Sequence, residues 1–334
     1  ACAFAPNIWV LLLFRMVASL GIGGEWAAGA AMVAEVVPEH RRVEAGALLY
    51  TAAPVGMFLA TLVTWTIQGV LLPGDPTVSW RWVFLCGLIP AGFAIAIRMV
   101  VKEPERWKAV AAGAAPSLRE LFRGDTLKLT LSGLATAIVA LLMWWSCNAF
   151  IPIVANGLAA VEAASQGLAP EQATGLKEAW KATATNAFNL GGLIGTLLTV
   201  PLAKVAGRRA MFGLYFAASA AAILAAFGLD LAPAMRLYFY FPIGLTVFGV
   251  FGSFTYYLPE LYPTRLRATG AGFCYNAGRL VAAVGPFLVG AVASRGADAL
   301  ATALQVLFWV GVVPLVGLLL VPFIVETRDR ALVD

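Results

Sequence analysis

The sequence predicts an all-α, polytopic membrane protein, and three observations carry that reading. Of its 334 residues, 61% are apolar and only 12% are charged, against roughly 45–50% and about 25% in soluble domains. Mean hydropathy is +0.84. The apolar residues gather into nine runs of about 20 residues, the length of helix that crosses a bilayer core. The same composition excludes several kinds of chemistry. There is one histidine, His40, and the cysteines Cys2, Cys86, Cys147 and Cys274 stand singly in apolar surroundings. No disulfide framework, metal site, histidine triad or cofactor is therefore expected.

In chain order, Ala1 to Pro6 read as the tail of an apolar segment with no initiator Met. No basic stretch precedes it, so it is not a signal peptide, and more chain is expected upstream. The first full spans are expected at Trp9 to Ala34, Gly46 to Gly69 and Trp82 to Val101. The next lie at Leu127 to Ile153, Ala182 to Ala203 and Met211 to Leu229, and the last at Leu237 to Leu258, Ala268 to Ala293 and Ala301 to Val325. Stop signals such as Pro38, Pro73-Gly74-Asp75-Pro76 and Pro263 separate them. Residues Ala155 to Lys181 read as a long outer loop in which Gly167 and Pro170 break two short helices.

Orientation follows from Lys and Arg, because basic loops stay in the cytoplasm. Sixteen of the 23 fall on one side, among them Arg41, Arg42, Arg98, Lys204, Arg208, Arg209, Arg265, Arg267 and Arg328. The other side carries five (Arg81, Lys177, Lys181, Arg236 and Arg295), and Arg15 and Arg279 sit inside spans. The basic side and the C-terminus are expected inside the cell, in a multi-pass protein of the inner membrane. These loops account for the net charge of +5, so the partner they imply is the bilayer and not a nucleic acid.

The chain also repeats itself. Glu35-Val-Val-Pro38-Glu39-His40-Arg41-Arg42 matches Glu260-Leu-Tyr-Pro263-Thr264-Arg265-Leu-Arg267 at a constant offset of 225, and each copy lies where a span meets the basic side. Glu103-Pro104-Glu105-Arg106 and Glu326-Thr327-Arg328-Asp329 stand 223 apart, each just after another span. Repeated halves are common among transporters. Six spans follow Leu127, so the first half should also have six, of which three are complete here. The expected organisation is an incomplete N-terminal half at 1–101 with the end of span 3 and spans 4 to 6. A cytoplasmic linker at 102–126 leads to a C-terminal half at 127–334 with spans 7 to 12, in an intact protein of twelve.

These motifs resemble the major facilitator superfamily. Arg15, Gly21-Ile-Gly23-Gly24-Glu25-Trp26 and Glu35-x-x-Pro38 resemble its fourth helix, and Pro259-Glu260-Leu-Tyr-Pro263-Thr-Arg265-Leu-Arg267-Ala-Thr-Gly270 the end of its tenth. Glu103-Pro104-Glu105-Arg106-Trp107 and Glu326-Thr327-Arg328 resemble the segments after the sixth and twelfth. Gly23-Gly-Glu-Trp-Ala-Ala-Gly-Ala30 is most similar to the sialate and monocarboxylate proton symporters, with metabolite and sugar symporters close behind. The family usually has Asp-Arg-x-Gly-Arg-Arg after the eighth helix. Lys204-Val205-Ala206-Gly207-Arg208-Arg209 lacks that Asp, so a carboxylate partner for this loop must come from elsewhere or be absent.

A charge at the bilayer centre costs about 2.5–3.5 kcal/mol on insertion scales, so such residues line wet cavities or have partners. Arg279 lies about 16 Å into its span and Arg15 only about 9 Å. Arg279 is thus the candidate for holding an anionic group by its planar fork. Asn276 and Tyr275 precede it at helical spacing, and Asn148, Trp145, Asn186, Asn189 and Tyr256 add polar and aromatic surface for a small-molecule cavity. Helix-to-helix hydrogen bonding accounts for these Asn and Tyr residues equally well. Glu25 is about 15 Å from Arg15 along the helix, so the two cannot pair directly. Low dielectric disfavours a charged carboxylate, which makes Glu25, with Arg15, the candidate for proton coupling. By resemblance, Glu35, Arg42, Glu260, Arg265, Arg267, Gly207, Arg208 and Arg209 look like gate residues at the cytoplasmic face. Helix-end electrostatics alone also favours basic side chains there, by about 0.3–1 kcal/mol.

The expected function is secondary transport of a small organic anion by alternating access, with protons as the coupling ion and a monomer as the working unit. A sugar or other metabolite symporter of the same superfamily is the near alternative. A membrane enzyme would need clustered His, Asp or Glu, which one histidine does not supply, and a non-transporting sensor is the remaining alternative.

Overall fold

The computed structural model describes residues 1–72, 75–100, 116–295 and 298–328. Its elements are helices, and among the described residues nine helical stretches are long and apolar enough to cross a membrane. The first is α1 (Ile8–Val36), begun by Asn7, whose side chain accepts from Val10 N at 3.0 Å. It is followed by α2 (Arg42–Thr64), which carries Pro54 internally and passes into a π-helical stretch at Trp65–Leu71. Asp75 caps α3 (Pro76–Cys86), where Pro at the first turn loses no hydrogen bond, and α4 (Leu88–Val100) continues it. The repeat unit Glu103 to Arg106 and most of the expected linker, 102–115, lie outside the described residues.

From α5 (Gly124–Ala149) onward the spans fall where expected, and the departures are one connection and the interior of the tenth helix. The segment after Ile153 is not an open loop: α6 (Ile151–Ser165) prolongs the span, and Pro170 starts α7 (Pro170–Val205). The break is confined to the few residues around Gly167, whose φ of +63° is the left-handed region that glycine occupies without strain. The two short helices expected on either side of Gly167 are thus extensions of the flanking spans, and only the second, at the start of α7, is rich in polar residues. The next span is α8 (Arg208–Gly228).

The tenth expected helix is broken. It runs as α9 (Pro233–Tyr238), α10 (Tyr240–Ile243), a π turn at Gly244–Phe248, a 3-10 turn at Gly249–Ser253 and α11 (Phe254–Glu260). Its irregular middle presses against α7. A Cβ on Gly249 would lie 2.6 Å from Gly195 Cα, and a Cβ on Gly191 would lie 2.6 Å from Leu245 N. In lipid, helices gain little from burying apolar surface against one another, so close backbone approach through small residues is what holds them. Two bent spans complete the chain: α12 (Thr264–Ala282) with α13 (Val284–Ala293), and α14 (Ala299–Val310) with α15 (Val312–Leu320).

The buried core belongs mainly to the last six spans, where Phe188, Phe212, Phe216, Phe248, Phe251 and Phe254 are fully enclosed. By contrast α4 is exposed along its whole length, with Phe93, Ile95, Ile97 and Met99 outward. An apolar outer face of this kind is what hydrocarbon requires.

Candidate functional site

The first three spans meet the last six along two seams. In the first, α1 turns Gly23, Ala27, Ala30 and Ala34 toward α12, a spacing that keeps small residues on one helical face. Asn276 Nδ2 donates to Gly23 O at 3.0 Å, Trp26 stacks on Tyr275 with ring centroids 4.1 Å apart and planes 14° apart, and Ala27 Cβ lies 3.1 Å from where a Cβ on Gly272 would be. At the basic end Arg267 Nη1 pairs with Glu35 Oε1 at 3.1 Å, the side chains 0% and 3% exposed. Arg267 Nε also reaches Pro259 O at 3.3 Å.

The second seam brings α2 against α11 and α7. Thr255 Oγ1 donates to Gly46 O at 2.6 Å, and a Cβ on Gly46 would lie 3.0 Å from Tyr256 Cβ. One turn on, the Tyr50 ring stacks on Phe251 (6.1 Å) and meets Phe248 edge-on (6.3 Å), while its hydroxyl interacts with that of Tyr275. Tyr275 is thus a hub, reached by Trp26 from α1 and Tyr50 from α2. Over its ring, 4.9 Å from the centroid, lies the Arg279 guanidinium. Arg279 sits one turn beyond the seam contacts, half-buried, on the side away from the basic end. Farther in that direction a cleft of about 410 Å³ is lined by Phe58, Thr61 and Trp65 on the first group and Ala182 and Asn186 on α7.

A planar cation beside stacked rings can take a carboxylate on its fork and an apolar body on the rings. Trp26 Nε1 and Trp144 Nε1 are buried with no hydrogen-bond partner among the described residues, and unpaired buried donors of this kind suit a polar guest. The predicted site residues divide accordingly. Tyr275 and Arg279 come together. Asn276 spends its amide on the Gly23 carbonyl, the helix-to-helix alternative. Asn186 lines the cleft away from the basic end, while Asn189 is fully buried with neither amide atom paired among the described residues, so the two do not share a surface.

Trp145 and Asn148 are half-buried, and Trp145 Cβ lies 3.7 Å from a Cβ position on Gly285 of α13. Its neighbour Trp144 is the one that meets Phe248, at 5.7 Å. Tyr256 lies elsewhere: its ring is wholly enclosed, 5.8 Å from the Arg208 guanidinium of the basic-face cluster. Glu25 stands two residues from Gly23, hence on the opposite face of α1, and both it and Arg15 are exposed. Depth along the span therefore did not bring enclosure by the described residues. Trp26, Tyr50 and Trp144 stand beside this hub although sequence reasoning did not single them out. For two of them the signal was position on a small-residue face, since Tyr50 follows Gly46 by four and Trp26 follows Gly23 by three.

At the basic face the expected gate residues sort by partner. Arg208 holds Glu260 with two hydrogen bonds, Nη2 to Oε1 at 2.7 Å and Nε to Oε2 at 3.1 Å, and Thr327 Oγ1 donates to the same Oε2 at 2.6 Å. The carboxylate missing from the Lys204-to-Arg209 loop is supplied from elsewhere: Glu326 accepts from Arg208 N at 2.9 Å and Arg209 N at 3.0 Å, capping α8. Burial pushes the Glu326 carboxyl up, but the N–H groups of Arg209, Arg208, Arg328 and Thr327 more than offset it, and the group lies below its ordinary value. Gly207, at φ +86° and ψ 167°, makes the turn that admits this cap. Arg209 Nε donates to Ile324 O at 2.9 Å. Arg265 pairs with Glu120, whose carboxyl is held low by that hydrogen bond and by Ser117 N. Arg42, also buried, has Glu39 at 3.4 Å. Of these pairs, Glu35–Arg267 joins the two groups of spans.

Two groups of membrane helices meeting along sealed seams, with a cation and aromatic hub at the end of the seal, define a polytopic transporter-type membrane protein. The Major Facilitator Superfamily model matches residues 1–286, and the chain belongs to that family. It is 29% identical over 98% of its length to a protein of Cupriavidus pinatubonensis named "Probable 4-methylmuconolactone transporter", covering 72% of that relative. It is 27% identical over 86% of its length to the gentisate transporter of Corynebacterium glutamicum, covering 62%, and 28% identical over 85% to the cis,cis-muconate transport protein of Acinetobacter baylyi, covering 65%. The chain thus spans between 62% and 72% of the length of these three relatives.

Proposed function

We propose that the protein moves a small organic anion across the inner membrane by alternating access, with proton symport, and that Arg279 receives the anionic group. The observation that carries this reading is the half-buried Arg279 guanidinium over Tyr275, at the point where the seam ends. Snorkelling does not easily rescue a cation at that depth, and no carboxylate among the described residues pairs with Arg279, whereas a visiting carboxylate would supply the counter-charge. The cargoes named for the relatives, muconate, gentisate and a muconolactone, are small acids or a ring compound of that kind. The buried indole N–H groups of Trp26 and Trp144 would orient the guest, with Tyr50, Phe248 and Phe251 beside it.

On this reading the basic face is cytoplasmic and closed, and the cleft between Phe58 and Asn186 faces outward. Glu35–Arg267 is the pair that must part for inward release. Glu25 is proposed for proton coupling together with Arg15, and the helix surface they occupy would face the proton path. The protein is proposed to act as a monomer, with its C-terminus inside.

The test is uptake by the full-length protein in vesicles, using cis,cis-muconate, gentisate, nicotinate, sialate and glucose, with and without a protonophore. Arg279→Ala should abolish uptake of the accepted acid while leaving membrane insertion unchanged, and Glu25→Gln should leave exchange but remove accumulation. Glucose accepted with no acid, or normal acid uptake by Arg279→Ala, would overturn the anion reading.

A further inference from the structure

Lys204 lies in the last turn of α7, at the basic face. Its ammonium forms an ion pair with Glu44 Oε1 in the first turn of α2 and also donates to His40 O, in the loop between α1 and α2, at 3.3 Å. The pair therefore ties the last six spans to the first three, as Glu35–Arg267 does on the other seam. Its setting is different. The Lys204 and Glu44 side chains are 44% and 43% exposed, against 0% and 3% for the buried pair. Glu44 Oε2 is nevertheless turned inward with no hydrogen-bond partner among the described residues, while Oε1 takes the Lys204 ammonium. Two residues on, Gly46 makes the close approach to Thr255 and Tyr256. An attraction here thus acts on a point where α2 and α11 are already in contact.

We infer that Lys204 and Glu44 form a second latch across the seams, placed in water where ionic strength and a change of charge can set how firmly the basic face stays closed. The inference rests on the alternating-access reading and adds two positioning residues to it. A buried pair is shielded from bulk ions, whereas for an exposed pair the screening length shortens from about 10 Å at 0.1 M salt to about 3 Å at 1 M, down to the scale of the contact itself. The two seams therefore divide the labour: one fixes the closed geometry and the other adjusts its population.

The experiment uses the full-length protein in inside-out vesicles, with Ala47→Cys as reporter. Ala47 is fully buried on α2, so labelling by a membrane-impermeant maleimide reports opening of the basic face. Lys204→Asp should raise the labelling rate about two- to fivefold or more, the population equivalent of losing an exposed ion pair and adding a repulsion. Glu44→Lys should do the same. The exchanged pair Glu44→Lys with Lys204→Glu should return to within about twofold of the parent, which a variant that merely misfolds cannot do. Raising salt to 1 M should speed labelling of the parent but not of Lys204→Gln. Single variants that label like the parent, or an exchanged pair as fast as the singles, would overturn the latch. Glu35→Gln separates the two levels. If it speeds labelling while Lys204→Asp does not, only the latch fails; if neither does, the alternating-access reading fails with it.

Discussion

Neutralising Glu35 tests the buried seam most directly. Glu35→Gln keeps the shape of the side chain but leaves Arg267, which is 0% exposed, without its facing carboxylate at 3.1 Å. Removing one member of a buried pair costs about 3–5 kcal/mol. Because Arg267 keeps the Pro259 carbonyl at 3.3 Å, the lower end, about 3 kcal/mol, is the better figure. That cost falls only on the state in which the seam is closed. At about 1.4 kcal/mol per decade, the closed-to-open ratio should fall by about two orders of magnitude. Maleimide labelling of Ala34→Cys, buried on α1 beside Glu35, reads this as a matching rise in rate. Glu39→Gln is the control: its pair with Arg42 is 3.4 Å long and Glu39 is 58% exposed, so less than about fivefold is expected. Equal and small effects from the two substitutions would refute the idea that burial of the Glu35–Arg267 pair governs closure.

Three further outcomes are expected. Gly195→Ala places a methyl 2.9 Å from Gly249 Cα and against the Leu245 carbonyl; it should destabilise the detergent-solubilised protein by about 1–3 kcal/mol, read as a lower melting temperature. Gly207→Ala combines a backbone conformation essentially restricted to glycine with a contact 2.6 Å from Glu326 Oε2; a loss of about 1–3 kcal/mol is expected, and Gly207→Ser should fare no better. The lowered native value of Glu326 means that its cap contributes fully above the ordinary glutamate value of about 4.3 and is lost as pH falls through the native one. The melting-temperature gap between the parent and Glu326→Gln should therefore be constant from pH 6 to 8 and close in acid.

Much of the architecture was legible because its cause is local. A bilayer demands about 20 apolar residues per crossing, and the spans announce themselves by that alone. The repeat of Glu35 to Arg42 at Glu260 to Arg267 pointed to residues of which Glu35 and Arg267 do pair. What sequence could not reveal was which polar residue on a helix is spent on a neighbouring backbone. Asn276 and Arg279 are one turn apart, yet the first is consumed by the Gly23 carbonyl and the second lies over a ring. Trp144 and Trp145 are adjacent and indistinguishable by hydropathy, and only the crossing of α5 with the broken helix selects Trp144. The replacement of the absent Asp by Glu326, well over a hundred residues away in sequence, likewise depends on tertiary proximity.

The glycines at which α7 meets the broken helix have a mechanical consequence. Gly191 and Gly195 seat against Gly244 and Gly249 so tightly that any roll or slide would drive backbone into backbone. The last six spans are consequently stiff at their centre, like two toothed racks locked together. Whatever displacement the molecule undergoes has to be taken up elsewhere, along the greased alanine and glycine tracks of α1 and α2.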